Sequence, residues 1–303
     1  MTSTLRGALL SLAAFGFYAT HDVIVKLLGD SFSTFQIVFF SGLMGFPFVI
    51  LMLMADRREG TLIPVHPWWS TLRAVAAVAT GVMGFFAFSQ LPMATCYAIF
   101  FAMPLLITLM AVPLLGERIG IRRGAAVVVG LIGVLIVLRP GAGDAFSVGH
   151  LAALGAAITG ALTSVIVRKI GHAERSSVLM LYPMVLTFFA MGATMPFVYR
   201  PMTATDLGLT AVMAFLGMLG ALAIIAAYRA APAVIVAPMQ YSQIIWAVLY
   251  GWLFFDEHVD LYTALGSAVI IASGIYIVLR EGKPRVSRHR PVLESRSRMD
   301  IGN

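Results

Sequence analysis

Charge is what this sequence lacks most. Asp, Glu, Lys and Arg make up 12% of the 303 residues, about half the share of a soluble globular domain. Hydrophobic residues reach 60%, and mean hydropathy is +0.92. A soluble fold of this length would need polar residues on every element, and a disordered chain would need still more. Both are excluded. Cysteine is nearly absent: Cys96 stands alone inside an apolar run, which excludes a disulfide scaffold. Long loops are also missing. The longest, 55–68, has 14 residues, too little for the catalytic loops of an intramembrane enzyme. No His/Glu metal pair, Asp-rich phosphate motif or Ser/His/Asp set is evident in the spans, so no catalytic residue, metal or cofactor is expected. Arg6 precedes an apolar run that carries His21, Asp22 and Lys26 and has no small-x-small cleavage site. It reads as a retained helix rather than a signal peptide.

What is present is a series of long apolar segments. A spanning helix needs about 20 mostly apolar residues, and windows of that size fall at 5–28, 33–54, 69–90, 93–115, 121–138, 148–168, 178–198, 206–228, 233–255 and 261–279. These runs are continuous rather than alternating, which disfavours a β-barrel. The expected fold is an all-α polytopic membrane protein with ten transmembrane helices. An even count puts both termini on one side. With the N-terminus inside, eighteen Lys and Arg fall on the inner side and only Arg139 and Arg200 on the outer, with Lys26 inside a span. This asymmetry fixes both termini as cytoplasmic. It also accounts for a pI near 9.9 without any nucleic-acid partner. The basic tail 282–303 reads as a topology anchor beside anionic lipid.

The halves repeat. Pro92 and Pro232 open similar segments that end at Glu117 and Glu257, both pairs 140 positions apart, and Val137-Leu138-Arg139 matches Val278-Leu279-Arg280. Five spans per half is odd, so the second half is inserted upside down. The loops agree, since 117–123 is basic and 256–260 has no Lys or Arg. The expected units are residues 1–143 and 144–281, two inverted five-helix repeats. Inverted repeats mark transporters whose site lies at the repeat interface near the midplane.

The segments LPMATCYAIFFAMPLLITLMAVPLLGER and APAVIVAPMQYSQIIWAVLYGWLFFDE, with a late Lys26 in span one, resemble the drug/metabolite transporter superfamily in its ten-span, two-EamA-domain form. The resemblance covers about residues 5–281. It implies a secondary transporter of a small metabolite, with helices around a central cavity in the inner membrane. The start of the chain, HDVIVKLLG followed by STFQIVFF, is similar to S-adenosylmethionine uptake carriers, although Ser41 stands where those usually have Arg. Riboflavin carriers and exporters of amino acids or drugs share parts of the pattern. A lipid-flipping relative and an intramembrane enzyme are the remaining classes. Neither direction of transport nor coupling to protons, to exchange or to neither is encoded, nor is monomer against homodimer.

Within the spans the ionisable residues are the sharpest site candidates, because charges in a membrane segment usually face a polar path. Asp22 and Lys26 are four apart, so they share a helix face and can pair with each other. The S-adenosylmethionine resemblance implies Asp22 toward a sulfonium or amino group and Lys26 toward a carboxylate. His21, with Asp22, is a candidate for proton coupling, against a structural hydrogen-bonded role. In span nine, Gln240, Gln243, Trp246 and Tyr250 fall on one helical stripe beside Tyr241. Two amides on that stripe exclude a lipid face and favour a cavity lining over interhelical glue. The span-four counterpart carries Tyr97, Phe100, Met103, Leu106 and Met110. Together they suit a flat ring with polar substituents. Ala77/Gly81, Ala156/Gly160/Ser164 and Gly266/Gly274 read as close-approach positions. Pro104, Pro113 and Pro238 are candidate kinks, and Glu117 and Glu257 are candidate caps or latches.

Overall fold

The computed structural model of the chain describes residues 3–55, 62–117, 120–140 and 146–281. The boundary expected at 143/144, the basic tail 282–303, and part of the loop 55–68 lie outside the described residues. Helices account for nearly all of what is described: α1 (Ser3–Gly29), α2 (Thr34–Ala55), α3 (Pro67–Gln90), α4 (Met93–Phe100), α5 (Met103–Leu115), α6 (Ile121–Leu138), α7 (Val148–Ile170), α8 (Ser176–Gly192), α9 (Met195–Val198), α10 (Ala204–Ala230), α11 (Ala233–Val236), a 3-10 turn over Ala237–Ser242, α12 (Gln243–Phe255) and α13 (Leu261–Glu281). The ten apolar runs each appear as a helix or a chain of helices, in an all-α polytopic membrane architecture. Among the described residues, seven helical stretches are long and apolar enough to cross a bilayer unaided. The second and seventh runs hold shorter apolar helices, and the ninth is broken.

The breaks fall where the prolines are. The fourth run leaves the helix at Phe101 and Ala102, and Pro104 then occupies the first turn of α5. There its missing N–H costs nothing. Pro238 lies inside the 3-10 turn that interrupts the ninth run. Pro113, by contrast, is carried inside α5 without a break. Because of the 3-10 turn, the span-nine stripe is not one continuous α-helical face: Gln240 and Tyr241 sit on the turn, and Gln243, Trp246 and Tyr250 on α12.

Packing follows a two-fold exchange between the halves. α1 packs along α10 while α7 packs along α3; α2 meets α8; α6 meets α13; and α12 meets α4. Each pairing joins the two halves of the chain, so neither five-helix half buries its apolar surface alone. Helix ends repeat the relationship. α5 closes on Gly116 and α12 on Asp256, both left-handed. Glu117 then donates its amide to the Ala111 carbonyl, and Glu257 donates its amide to the Gly251 carbonyl. These are matching Schellman-type closures. Glycine permits the closest approach at α6–α13, where a Cβ on Gly266 would come 2.7 Å from the Gly133 carbonyl. Gly160 is likewise filled by Met103. Gly81 differs from expectation, since nothing lies within 4 Å of its Cβ position.

The chain turns at two ends. One end, here the Gly29 end, gathers Gly29, Gln90, Val148, Phe255 and Leu261. The other, the Ser3 end, gathers Ser3, Pro67, Leu115, Ile170 and Ala230. Between them α4 is enclosed on all sides, with every residue from Met93 to Ile99 buried. Outward faces carry Val128, Ile132 and Leu135 of α6 and Leu222 and Ile225 of α10, all exposed, as acyl chains require.

Candidate functional site

The enclosed α4 brings Tyr97 against α1. Asp22 lies seven residues from the end of α1, about 10 Å inside along the axis. Its side chain is 14% exposed. One carboxylate oxygen accepts from the Tyr97 hydroxyl; the other lies 2.8 Å from Nδ1 of His21. Gln243 of α12 lies close to the same Tyr97 hydroxyl. Asp22 and Tyr97 thus join α1 to α4, and Gln243 from the second half of the sequence lies beside them. The His21 ring turns between α3 and α10: it meets Phe85 edge-on at 5.7 Å and lies against Gly217.

Lys26 is not the partner of Asp22, although the spacing of four allows it. Its ammonium pairs with Glu257 at 2.9 Å and donates to the Leu91 carbonyl at 2.6 Å and the Phe88 carbonyl at 3.2 Å. An ammonium has three protons, and all three are taken. Phe255 covers the group at 5.3 Å. The second oxygen of Glu257 accepts from the Met93 amide at 2.8 Å, an orphan donor at the first turn of α4. Glu257 thus caps α4 and anchors Lys26 at once, the latch expected of it. Asp22 is left with neutral donors and a histidine.

The aromatic and amide positions separate into three directions. Trp246 lies against Gly16 of α1, and the Tyr250 hydroxyl bonds Thr20 at 3.0 Å, so the α12 stripe faces α1 and not lipid. Phe100 turns to α3, edge-on to Phe88 at 5.5 Å and near Gly84. Met103 fills the notch at Gly160 of α7. Tyr241 is buried and packs edge-on to Phe101 at 5.1 Å, its hydroxyl lodged against Gly274. Gln240, on the 3-10 turn, is partly exposed. Hence Asp22, Tyr97 and Gln243 meet, with Trp246 nearby on the α12 face toward α1, whereas Phe100, Met103 and Tyr241 pack on other neighbours.

Sequence reasoning passed over Tyr18, Thr20 and Phe85. Tyr18 fills the space that Gly220 leaves on α10. Tyr18 and Asp22 are one turn apart, so Tyr18 was readable from spacing; Phe85 was not, because only the α1–α3 packing brings it to His21. Among the described residues, no group of three His, Cys, Asp or Glu could hold a metal ion.

An architecture of exchanged five-helix halves, with a buried carboxylate between them, is that of a multi-pass membrane transporter. The EamA-like transporter family model matches residues 5–139 and again 147–280, and the chain belongs to that family. Named relatives agree on the class and differ in cargo. The S-adenosylmethionine uptake transporter of Rickettsia prowazekii (strain Madrid E) is 26% identical over 274 residues, 89% of this chain and 91% of that protein. The pseudopaline exporter CntI of Pseudomonas aeruginosa (strain PAO1) is 25% identical over 89% of this chain and 94% of its own. The riboflavin transporter of Rhizobium johnstonii is 29% identical over 78% and 79%. One crystal structure superposes with a TM-score of 0.64 at 17% identity, covering 92% of this chain and 98% of its own, which speaks to the fold alone.

Proposed function

We propose that the chain is a secondary active transporter that moves a small metabolite by alternating access, and that this metabolite presents a positive charge beside a flat polar ring, as S-adenosylmethionine does. The observation that carries the reading is Asp22: an intramembrane carboxylate held by Tyr97 and His21, while the nearby cation Lys26 is committed to Glu257. A carboxylate in a span is costly and is kept where a cation meets it in the working cycle. The sulfonium or amino group of the substrate fills that role, and Trp246 offers a face for its ring. Lys26, with its three protons engaged, meets a substrate carboxylate only when the Glu257 latch opens. Of the remaining candidates, Gln243 and Tyr97 orient the substrate's polar edge. Gln240, Tyr241, Phe100 and Met103 shape the surrounding walls.

The same reading places the protein in the inner membrane with both termini cytoplasmic. Arg6, Arg122, Arg123, Arg168, Lys169 and Arg229 share the Ser3 end of the bundle, and Arg139 and Arg200 the other, in keeping with the bias of cytoplasmic loops. The two units, 1–143 and 144–281, then act as the inverted halves that rock about the site. A riboflavin carrier or an exporter of amino acids is the competing reading, and riboflavin has no cation for Asp22 to meet. Purified protein is screened by thermal shift against S-adenosylmethionine, its homocysteine analogue, riboflavin and amino acids, since a ligand stabilises the state it binds. Stabilisation by S-adenosylmethionine that exceeds that by its homocysteine analogue, which keeps the amino group but lacks the sulfonium charge, and that is lost in Asp22→Asn, is the result expected if the sulfonium meets Asp22; equal stabilisation by both, lost in Asp22→Asn, assigns the contact to the amino group. Stabilisation by riboflavin alone removes the cation from the proposal.

A further inference from the structure

The Lys26–Glu257 latch has a counterpart at the other end of the molecule. Glu117 is the partner of Glu257 in the repeat: each follows a left-handed C-cap and bonds its amide six residues back. Arg168 is the partner of Lys26, since each lies three residues before the glycine at the end of its helix, Gly171 and Gly29. Arg168 does reach Glu117, at 2.5 Å. The two pairs are nevertheless in different states. Lys26 and Glu257 are 12% and 17% exposed, and Glu257 also grips the Met93 amide that opens the fourth run. Arg168 and Glu117 are 49% and 37% exposed. Among the described residues, Glu117 has no bond to the start of the ninth run. Where Phe255 closes over Lys26, the equivalent Leu115 lines an open cleft of about 710 Å³ with Glu117, Arg168, Lys169 and His172.

We propose that Glu117 and Arg168 are the second of two alternating locks. One lock is engaged here and seals the Gly29 end. The other, at the Ser3 end, keeps its exposed Arg168–Glu117 ion pair without gripping the start of the ninth run. When the halves rock, Glu117 moves onto the amide of Ala233, as Glu257 now holds Met93, and the Lys26 latch releases. The inference uses the transporter class and not the identity of the cargo.

The reporter is native. Cys96, the sole cysteine, is fully buried one turn into α4 from Met93, directly behind the engaged lock, so it is reached from the Gly29 end only when that lock opens. Its labelling rate is followed with a membrane-impermeant maleimide on the intact protein in detergent, with no substrate present. Glu257→Gln weakens the engaged lock and is expected to raise the rate roughly fivefold or more. Glu117→Gln weakens only the opposite closed state, because its present ion pair is exposed and contributes little. It is expected to lower the rate below that of the unaltered protein. Loosening of the bundle would also raise labelling in Glu257→Gln, but it cannot lower labelling in Glu117→Gln, so the second variant decides. A rise, or no change, with Glu117→Gln therefore overturns the second lock. Failure of the cargo assignment leaves this test untouched.

Discussion

Phe101 and Tyr241 stand 140 positions apart in the sequence and meet edge to face, with ring centroids 5.1 Å apart. They are the same position in the two repeats, and each lies at the interruption of its spanning helix. The pseudo-two-fold relation of the halves thus runs through the point where both helices are broken. Backbone away from helical geometry is tolerated at membrane depth only when it is buried in protein or lines a wet cavity. Here the two breaks shelter each other. The α4 and α12 pieces that carry Tyr97 and Gln243 are joined to the rest of their spans at these points, so they can tilt without dismantling the long helices α1, α3, α7 and α10.

The Asp22 site predicts a separation of transport from stability. Asp22→Asn keeps the shape and a hydrogen-bond acceptor for Tyr97, but removes the charge. On the proposal that S-adenosylmethionine is the cargo, its uptake into proteoliposomes is expected to fall by at least about tenfold, the effect of losing a charge-assisted contact. The unfolding midpoint in detergent should stay near that of the unaltered protein or rise, because a desolvated charge is relieved. Full transport by the asparagine variant takes Asp22 out of the mechanism.

The sheltered break predicts a paired effect at Gly274. A Cβ there would land 1.7 Å from the Tyr241 hydroxyl and 2.9 Å from the ring carbon that carries it. Gly274→Ala is therefore expected to cost about 1–3 kcal/mol, the range for overpacking a tight contact. Adding Tyr241→Phe removes the atom in the worst clash and should recover part of the loss. Gly81→Ala serves as the contrast: its Cβ meets nothing within 4 Å, so helix propensity alone applies, and up to about 1 kcal/mol is gained. Thermal unfolding of the three variants and the unaltered protein orders them. A neutral Gly274→Ala would show that Tyr241 is not seated as described.

Much of this was legible in the sequence because lipid imposes simple rules. Runs of about 20 apolar residues must be helices, and loop charges sort by side; the class of fold and the inverted relation follow from those alone. The latch role of Glu257 came from its position relative to Glu117. What could not be read is where buried polar groups find partners. Spacing along α1 paired Asp22 with Lys26, but Lys26 bonds Glu257, 231 positions away, and two carbonyls of the α3–α4 turn. The span-nine stripe assumed one helical period, whereas Pro238 lies in a 3-10 turn that shifts Tyr241 onto α13. Periodicity describes a face; it does not say which neighbour the face meets.

Two further cross-repeat contacts give a prediction of stability without a change in cargo. Gln36 of α2, wholly buried, donates to the Arg200 carbonyl at 2.7 Å and accepts from the Arg200 amide at 2.8 Å. Glu174, just before α8, accepts from the amides of Val65 at 3.1 Å and His66 at 2.6 Å. Each thereby ties down the turn that leads into a long helix of the opposite half, α10 or α3. Gln36→Ala and Glu174→Ala are each expected to cost about 0.5–1.5 kcal/mol, the net worth of such bonds, since Arg200, Val65 and His66 are themselves exposed and water can take over their backbone groups. The Michaelis constant for uptake should be unchanged, since neither residue touches the Asp22 cluster. A changed Michaelis constant in either variant would place that turn in the binding site.

The Lys26–Glu257 pair predicts a strong non-additivity. Both side chains are largely buried, and removing one leaves the other charged without its partner, at a cost of about 3–5 kcal/mol. Lys26→Met and Glu257→Gln alone should each lower the unfolding midpoint sharply. The effects are unequal in kind: Glu257→Gln retains an acceptor for the Met93 amide, while Lys26→Met abandons the Phe88 and Leu91 carbonyls as well as the carboxylate. The double variant removes both charges and should be more stable than the sum of the single losses implies, by about 1–3 kcal/mol in a double-mutant cycle. Strictly additive losses would mean that the two side chains do not act as a pair, and the engaged lock at the Gly29 end would lose its physical basis.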